Sequence, residues 1–242
     1  MQESIKYTNE LLYESKPLKE AFAAIAHQWR QPLTHINAIV GSIDNRLYEL
    51  GIEDPFLVTK LMEIEKITKE MSKSIDNYRG LYADQKSNND FFSIKLFFNE
   101  LQESMRYILK EEGVTLEILC KEDLSFSIDK ALLKELVLTI INNAKDALVS
   151  RNVYDPRIKI VTFSEDNHLF IKICDNAGGM SKSVMKKIFE PSFTTKHNSE
   201  GTGTGLYMVK QLLSEKLNGK IDVKNVDDGA CFTLEFMRKN NE

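Results

Sequence analysis

Residues 137–147 read VLTIINNAKDA, and residues 175–180 read DNAGGM. Around the first stretch, apolar residues recur at spacings of three and four over 129–150, which predicts a helix. The second stretch follows an apolar run that predicts a strand. These elements lie in a part of the chain that holds further polar and glycine-rich motifs. In order, they are IFEPSFTTK at 188–196 and GTGTGL at 201–206.

The sequence around these motifs predicts a mixture of helices and strands. We expect helices at 95–111, 129–150 and 205–217, strands at 91–94, 114–119, 124–128, 157–163 and 169–175, further strands in KIDVKNV and CFTLEFM, and lid-like loops over 176–204. The strands at 157–163 and 169–175 are expected to pair as a hairpin. Such an order predicts a two-layer α/β sandwich, with helices on one face of a mixed sheet.

Upstream, two long segments have the heptad spacing of amphipathic helices. The first, 17–50, contains Pro32, which should kink the helix or loosen one hydrogen bond. A hairpin of two such helices leaves an apolar face uncovered, so we expect two copies to form a four-helix bundle. Packing of that face on the C-terminal half is the alternative. The predicted seams comprise Phe22, Ile25, Trp29, Ile36, Ile39 and Ile43, then Leu61, Ile64, Met71, Ile75, Tyr78 and Tyr82.

The sequence divides into three predicted regions. Residues 1–16 suit a signalling helix or linker, 17–86 the helical hairpin, and 87–242 the α/β domain. The stretch 84–90 is small and polar, which is typical of a linker, and we expect it to be a hinge between the last two regions.

Composition narrows the class of protein. A net charge of −4 provides no basic field for nucleic acid. The three cysteines are odd in number and lack CxxC spacing, so neither a disulfide framework nor a zinc site is expected, and a reducing cytoplasm is the default. No apolar run is long enough to predict a membrane span.

Three side chains on the predicted helix 129–150 form a polar stripe, because Glu135, Thr139 and Asn143 stand four residues apart. Alone, such a stripe is most often a solvated face. The Asn143 amide oxygen is nevertheless a hard ligand of the kind that Mg²⁺ takes alongside phosphate and water. Asp175 ends a strand, and its carboxylate can accept a hydrogen bond from the amine of adenine. The glycines after it let a backbone pass close to the base.

The segment from Gly201 to Gly205 opens a predicted helix, whose free amides can bind an anion. A lone GxGxG is weak evidence. No strand-initiated βαβ unit precedes it, so a dinucleotide fold is not supported. The chain also lacks GxxxxGK[ST], which excludes a P-loop enzyme.

Taken in order, the four motifs resemble the ATP-binding domain of the GHKL (Bergerat) superfamily. AHQWRQPL at 26–33 resembles the phosphoacceptor box of bacterial sensor histidine kinases. The resemblance covers nearly all of 17–236. It implies a homodimeric kinase core that binds ATP with Mg²⁺ and autophosphorylates His27. The phosphoryl group would then pass to an aspartate on the receiver domain of a response regulator.

The resemblance also assigns residues to roles. It places Mg²⁺ at Asn143, with Thr139 where the family often has asparagine. It places ATP against a longer set, in which Ala177 stands where glycine is common. That set is Asn143, Asp146, Asp175, Ala177, Gly179, Phe189, Thr195, Lys196, Gly201, Gly203, Gly205 and Leu206.

One departure concerns the residue after His27. The family often has Glu or Asp there as a base, but this chain has Gln28, whose amide cannot accept a full proton. Gln28 could orient the imidazole while Glu135 or water serves as base. Gln31 could position a water molecule for dephosphorylation of a partner.

Two other functions stay open. One is a GHKL ATPase that works by nucleotide-driven clamping, like DNA gyrase or the heat-shock chaperones, although it has no use for AHQWRQPL. The other is a kinase-deficient dimeric scaffold or phosphatase for a response regulator, which Gln28 and Thr139 favour.

Overall fold

The computed structural model describes residues 28–82, 89–196 and 203–237. These residues fall into two compact units. One holds 28–82 with 194–196 and 203–204, and the other holds 89–193 with 205–237. The predicted segment 1–16, the start of the first helix and most of the predicted hinge lie outside the described residues. The domain boundaries set out above remain predictions.

Helix α1 spans described residues 28–49 and is helical on both sides of Pro32. It ends at Gly51, whose φ of 64° lies in the left-handed region that glycine adopts without steric cost. Helix α2, Pro55–Tyr82, begins with proline at its first position. The Asp54 carboxylate caps it by accepting the backbone N–H of Phe56 at 2.8 Å.

The helices α1 and α2 pack against each other along one line of residues. Leu33 and Ile75 share a buried cluster, and the Thr68 hydroxyl donates to Oδ1 of Asn37. Val40 and Leu61 are also buried. The line therefore uses Leu33 and Val40 on α1, which the predicted seam did not contain. The described seam residues of α1 remain exposed in the single chain: Trp29, Ile36, Ile39 and Ile43.

The second unit contains five strands in one mixed sheet. Their order is β2 (Thr115–Cys120), β4 (Arg157–Glu165), β5 (His168–Asp175), β7 (Gly229–Met237) and β6 (Gly219–Val226). Strands β2 and β4 are parallel, and the other neighbours are antiparallel. The predicted hairpin of β4 and β5 is confirmed. The elements are β1 Asn89–Ser93, α3 Ile94–Glu111, β2 Thr115–Cys120, β3 Ser125–Asp129, α4 Lys130–Ser150, β4 Arg157–Glu165, β5 His168–Asp175, α5 Lys182–Lys187, α6 Gly205–Lys216, β6 Gly219–Val226 and β7 Gly229–Met237.

The sheet buries one face, as the alternation of its residues requires. Ile158 and Ile160 of β4 are fully buried, as is Ile171 of β5. Helices α3, α4 and α6 contact strands of the sheet. The apolar face of α4 is buried along its length. The predicted two-layer α/β sandwich is therefore confirmed.

The structure departs from the predicted elements at three places. Strands β1 and β3 form a separate two-stranded sheet, and β1 begins at Asn89, inside the predicted hinge. Helix α5 lies within the predicted loops 176–204, where Ser181 caps it by accepting the backbone N–H of Val184 at 3.2 Å. A helix of six residues is too short for its apolar spacing to reveal it.

The structure contains one disulfide that the sequence analysis did not predict. Cys174 on β5 and Cys231 on β7 lie directly opposite each other in the antiparallel register and are joined by a disulfide, with their Cα atoms 4.0 Å apart. The two residues are 57 positions apart in the chain. Only the strand pairing brings them together, so no sequence spacing signals the bond. Cys120 is free.

In the part of the chain that the structure describes, no helix combines the length and apolarity that crossing a membrane requires.

A candidate nucleotide site in the α/β unit

Asp175 is the last residue of β5, and its side chain is half-buried. Oδ1 accepts two backbone hydrogen bonds, from the N–H of Ala177 at 2.9 Å and from that of Ala230 at 3.2 Å. Oδ2 has no hydrogen-bond partner among the described residues. The carboxylate is thus fixed through one of its two oxygens.

Burial raises the pKa of Asp175 above the ordinary value of an aspartate. The hydrogen bonds from Ala177 and Ala230 and the positive charge of Arg151 oppose that rise without cancelling it. The cause of the shift is desolvation, which penalises the charged form. A perturbed carboxylate of this kind is more typical of a functional position than of an ordinary turn.

The loop after Asp175 takes a form that requires glycine. Gly178 and Gly179 have φ values of 83° and 67°, in the left-handed region. Asn176 fixes the start of the loop, because its Oδ1 accepts the N–H of Arg157 at 2.7 Å and its Nδ2 donates to the carbonyl of Asp155 at 3.0 Å. Ala177, which we predicted to contact nucleotide, is buried.

Gly229 is a residue of this site that the sequence analysis missed. A Cβ at this position would lie 1.6 Å from the carbonyl oxygen of Asp175. The first residue of β7 therefore packs directly on the backbone that carries the carboxylate, and only glycine leaves room. The Asp-Gly pair in the β6–β7 turn was the available signal, because such pairs mark tight hairpins.

The polar stripe of α4 contributes a second part of the site. Asn143 is half-buried, and its side-chain amide has no hydrogen-bond partner among the described residues. The Thr139 hydroxyl donates to the carbonyl of Glu135 at 2.9 Å. A Cβ on Gly205 would lie 3.3 Å from the Thr139 methyl carbon. The first turn of α6 is therefore close to the Mg²⁺ position that the resemblance assigns.

Three more predicted residues belong to this unit. Asp146 pairs with Lys145 at 3.4 Å. Phe189 is half-buried, and the Lys210 ammonium lies 5.6 Å from its ring centroid. This cation–π contact links the predicted loops 176–204 to α6. Leu206 is half-buried in the first turn of α6.

The remaining predicted residues fall outside the α/β unit or outside the described residues. Thr195, Lys196 and Gly203 group with the helical unit. Their contact with nucleotide, like the roles of Gln28 and Gln31, which are exposed on α1, stays a prediction. His27 and Gly201 lie outside the described residues.

Residues 128–240 match the family described as histidine kinase-, DNA gyrase B-, and HSP90-like ATPase. Over 224 residues, 90% of its length, the chain is 30% identical to the signal transduction histidine-protein kinase AtoS of Escherichia coli (strain K12). It is 26% identical over 242 residues to sporulation kinase A of Bacillus subtilis (strain 168). Most of the chain is therefore similar to sensor histidine kinases.

The chain spans only part of these kinases, 34% of AtoS and 37% of sporulation kinase A. Solved structures of histidine kinases share its fold. Full-length ShkA in complex with AMPPNP matches 91% of the chain and 46% of that structure, with a TM-score of 0.71 and 18% identity. ThkA in complex with the response regulator protein TrrA matches 94% of the chain and 66% of that structure, with a TM-score of 0.60 and 20% identity.

Proposed function

We propose that the chain is the catalytic core of a sensor histidine kinase, which binds Mg-ATP, phosphorylates His27 and passes the phosphoryl group to an aspartate of a response regulator. The observation that carries the proposal is Asp175. One of its oxygens is fixed by two backbone N–H groups, beside a glycine loop and at the end of a central strand. Its other oxygen suits the exocyclic amine of adenine. The cytoplasm, where ATP is available, is the compartment that this reaction requires.

The residues on α4 fit a magnesium ion bound with ATP. Mg²⁺ takes one or two protein oxygens and fills its remaining positions with phosphate oxygens and water. Asn143 presents a half-buried amide that no described residue satisfies. The Thr139 hydroxyl donates a hydrogen bond to the helix backbone, so its oxygen can still accept a hydrogen bond from a water molecule that a bound Mg²⁺ would hold. When bound, the ion would neutralise charge on the phosphates.

The chemical step requires a neutral imidazole, a form that histidine side chains commonly take at cell pH. A ring nitrogen forms a bond to the γ-phosphorus while the bond to the β–γ bridging oxygen breaks and ADP leaves. The proton of the attacking ring passes to Glu135 or to water. Gln28 orients the ring but cannot accept that proton. Catalysis then depends mostly on positioning.

We propose that two copies of the chain pair through the helical unit. Its described residues include several large apolar side chains that stay exposed in one chain, among them Trp29 at 58% and Ile39 at 49%. A second hairpin of the same kind would cover them. Transfer to His27 then occurs within one chain or between the two chains of the dimer.

Incubation with γ-labelled ATP and Mg²⁺ tests the function. We expect an acid-labile, base-stable label on the protein that is lost in His27→Ala. His35→Ala is the matched control, because His35 is an exposed histidine of α1 without the surrounding motif. Transfer of the label to a purified receiver domain tests the second step. Label on any residue other than His27 contradicts the proposal.

A kinase-deficient scaffold or phosphatase is the second candidate. Gln28 in place of an acidic residue favours it, as does a Thr139 hydroxyl already bonded to the helix. In the same experiment, a scaffold neither incorporates label nor turns over ATP, but accelerates loss of phosphate from a phosphorylated receiver domain. An ATPase of the gyrase or chaperone kind would instead release phosphate with no labelled protein.

A further inference from the structure

The loop 176–180 is held from two sides by side chains that belong to none of the motifs. Arg151 follows the last residue of α4, and Asn225 lies near the end of β6. Both are exposed residues, so neither is explained by a place in the core.

Arg151 joins the loop to the helix that carries Asn143. Its Nη1 donates to the carbonyl of Ala177 and, at 2.9 Å, to the carbonyl of Gly179. Its backbone N–H closes the end of α4 by donating to the carbonyl of Ala147 at 3.2 Å. One residue therefore fixes the spacing between the end of the proposed metal-binding helix and the loop beside Asp175.

Asn225 holds the far end of the same loop. Its Nδ2 donates to the carbonyl of Met180 at 2.7 Å, and its Oδ1 accepts the N–H of Met180 at 3.0 Å. The side-chain amide therefore pairs with the backbone as a neighbouring strand would. A Cβ on Gly179 would lie 2.7 Å from that same Oδ1. The glycine thus makes room for Asn225.

Between these anchors, the N–H of Gly178 donates to the carbonyl of Asp228 in the β6–β7 turn. Every residue from Ala177 to Met180 thus has a backbone group bonded to α4, β6 or that turn. A loop with two adjacent glycines loses much conformational entropy when it is ordered. The anchors order it before a ligand arrives, which lowers the cost of binding.

We propose that Arg151 and Asn225 are positioning residues of the nucleotide site. They hold loop 176–180 in the conformation that receives the purine, and they thereby set the affinity for ATP and the preference for ATP over GTP. The inference rests on the proposed function. Adenine offers an amine to the Asp175 carboxylate, whereas guanine has a carbonyl oxygen at that position. With guanine, the carboxylate oxygen would therefore face a second hydrogen-bond acceptor and have no donor. Discrimination of that kind is strong only when the protein groups stay in place.

The test measures autophosphorylation kinetics with ATP and with GTP for R151M, N225A and R151K. We expect R151M and N225A each to raise the KM for ATP about 10-fold, because the loop must then be ordered on binding. We expect kcat to stay within about 2-fold, as for a contact equally strong in the ground and transition states. The ratio of kcat/KM for ATP to that for GTP should fall, and R151K should recover part of both losses.

The matched control is R106M, because Arg106 is an exposed arginine on α3 whose ion-pair partner among the described residues is Glu103, at 3.5 Å. It should behave as wild type. Thermal melting of each variant checks that it is folded. An unchanged KM and an unchanged ATP-to-GTP ratio in R151M and N225A, with active wild type, overturn the positioning role.

A second readout needs no nucleotide. In the free protein, hydrogen exchange of the Gly178 and Met180 amides should be faster in R151M and N225A than in wild type or R106M. Equal exchange rates overturn the inference whether or not the protein uses ATP. A wild-type protein that neither binds nor turns over ATP overturns the proposed function instead, even where exchange responds as expected.

Discussion

At the scale of single residues, Asp175 shows stability and function in conflict. Its pKa is raised because the carboxylate is desolvated. A raised pKa in the folded state means that this group favours folding most below its unfolded pKa. The contribution is lost as pH rises through the folded pKa. Where the carboxylate is charged, its desolvation therefore costs stability, and the proposed hydrogen bond from adenine would offset that cost.

We expect the affinity for ATP to fall as the pH is lowered through the pKa of Asp175, which lies above the usual aspartate value of about 4. Asp175→Asn should bind ATP weakly at every pH without that transition, and so controls for the titration of ATP itself. The variant should melt at the same or a higher temperature at neutral pH, since asparagine is uncharged and still accepts the two backbone N–H groups. Calorimetric titration and thermal melting measure both effects. Wild-type ATP affinity in the variant would contradict the role of Asp175.

Gly229 is a second position where one side chain decides the local structure. We expect Gly229→Ala to destabilise the α/β unit by roughly 3 kcal/mol or more, because the new methyl group would overlap the Asp175 backbone. Gly113→Ala is the control within the same unit. Its φ is 67°, but nothing lies within 4 Å of the new methyl group, so only the strain of about 1 kcal/mol remains. Urea denaturation compares the two, and equal losses would show that the close contact does not matter.

At the scale of elements, β4 carries one polar side chain on its buried face. Thr162 is fully buried, and its hydroxyl has no hydrogen-bond partner among the described residues. Thr68 of α2 is equally enclosed, but it donates to Asn37 and lies 3.0 Å from the carbonyl of Ile64. The two buried threonines therefore differ in whether the hydroxyl has a hydrogen-bond partner among the described residues.

We expect Thr162→Val to stabilise the protein by about 1 kcal/mol, because it removes a buried group that lacks a partner. Thr68→Val should destabilise it by a similar amount, since it leaves the Asn37 amide without its donor. Denaturation midpoints report both changes. A loss of stability in Thr162→Val would mean that the hydroxyl has a partner, such as a buried water.

Elements were predicted well where a pattern repeats locally. The apolar spacing of α4 and the alternation in β4 and β5 each depend on neighbours in sequence, so one chain reveals them. The residues that hold the site together were not predictable in this way. Asn225 meets Met180 across 45 positions, and Arg151 follows the end of a helix, where an exposed arginine is ordinary. The motifs therefore led to predicted nucleotide contacts but not to the residues that anchor loop 176–180.

At the scale of the whole molecule, the proposed chemistry divides between two units. His27 precedes the described part of α1, whereas Asp175 and Asn143 belong to the α/β unit. The proposed phosphoryl transfer requires the nucleotide and His27 to meet, and a conformational step of this kind often limits the rate of an enzyme. The predicted hinge near 84–90 is the place for it.

We expect the chain to sediment as a dimer and Ile39→Asp to shift it toward monomer. Ile39 is 49% exposed in one chain, and a carboxylate there would be buried without a partner in a four-helix bundle. Tyr154→Asp is the control, because Tyr154 is 96% exposed on the other unit. Analytical ultracentrifugation decides the matter. A monomeric wild type, or a dimer that survives Ile39→Asp, would contradict the proposed interface.

The bond between Cys174 and Cys231 has a practical consequence at the bench. It links the two strands that together hold Asp175, one ending in the carboxylate and the other providing the Ala230 N–H. A preparation handled with dithiothreitol and one handled without it therefore differ directly beside Asp175. Free thiols should therefore be titrated before affinities are compared. Reduction of the disulfide is then not mistaken for the effect of a mutation.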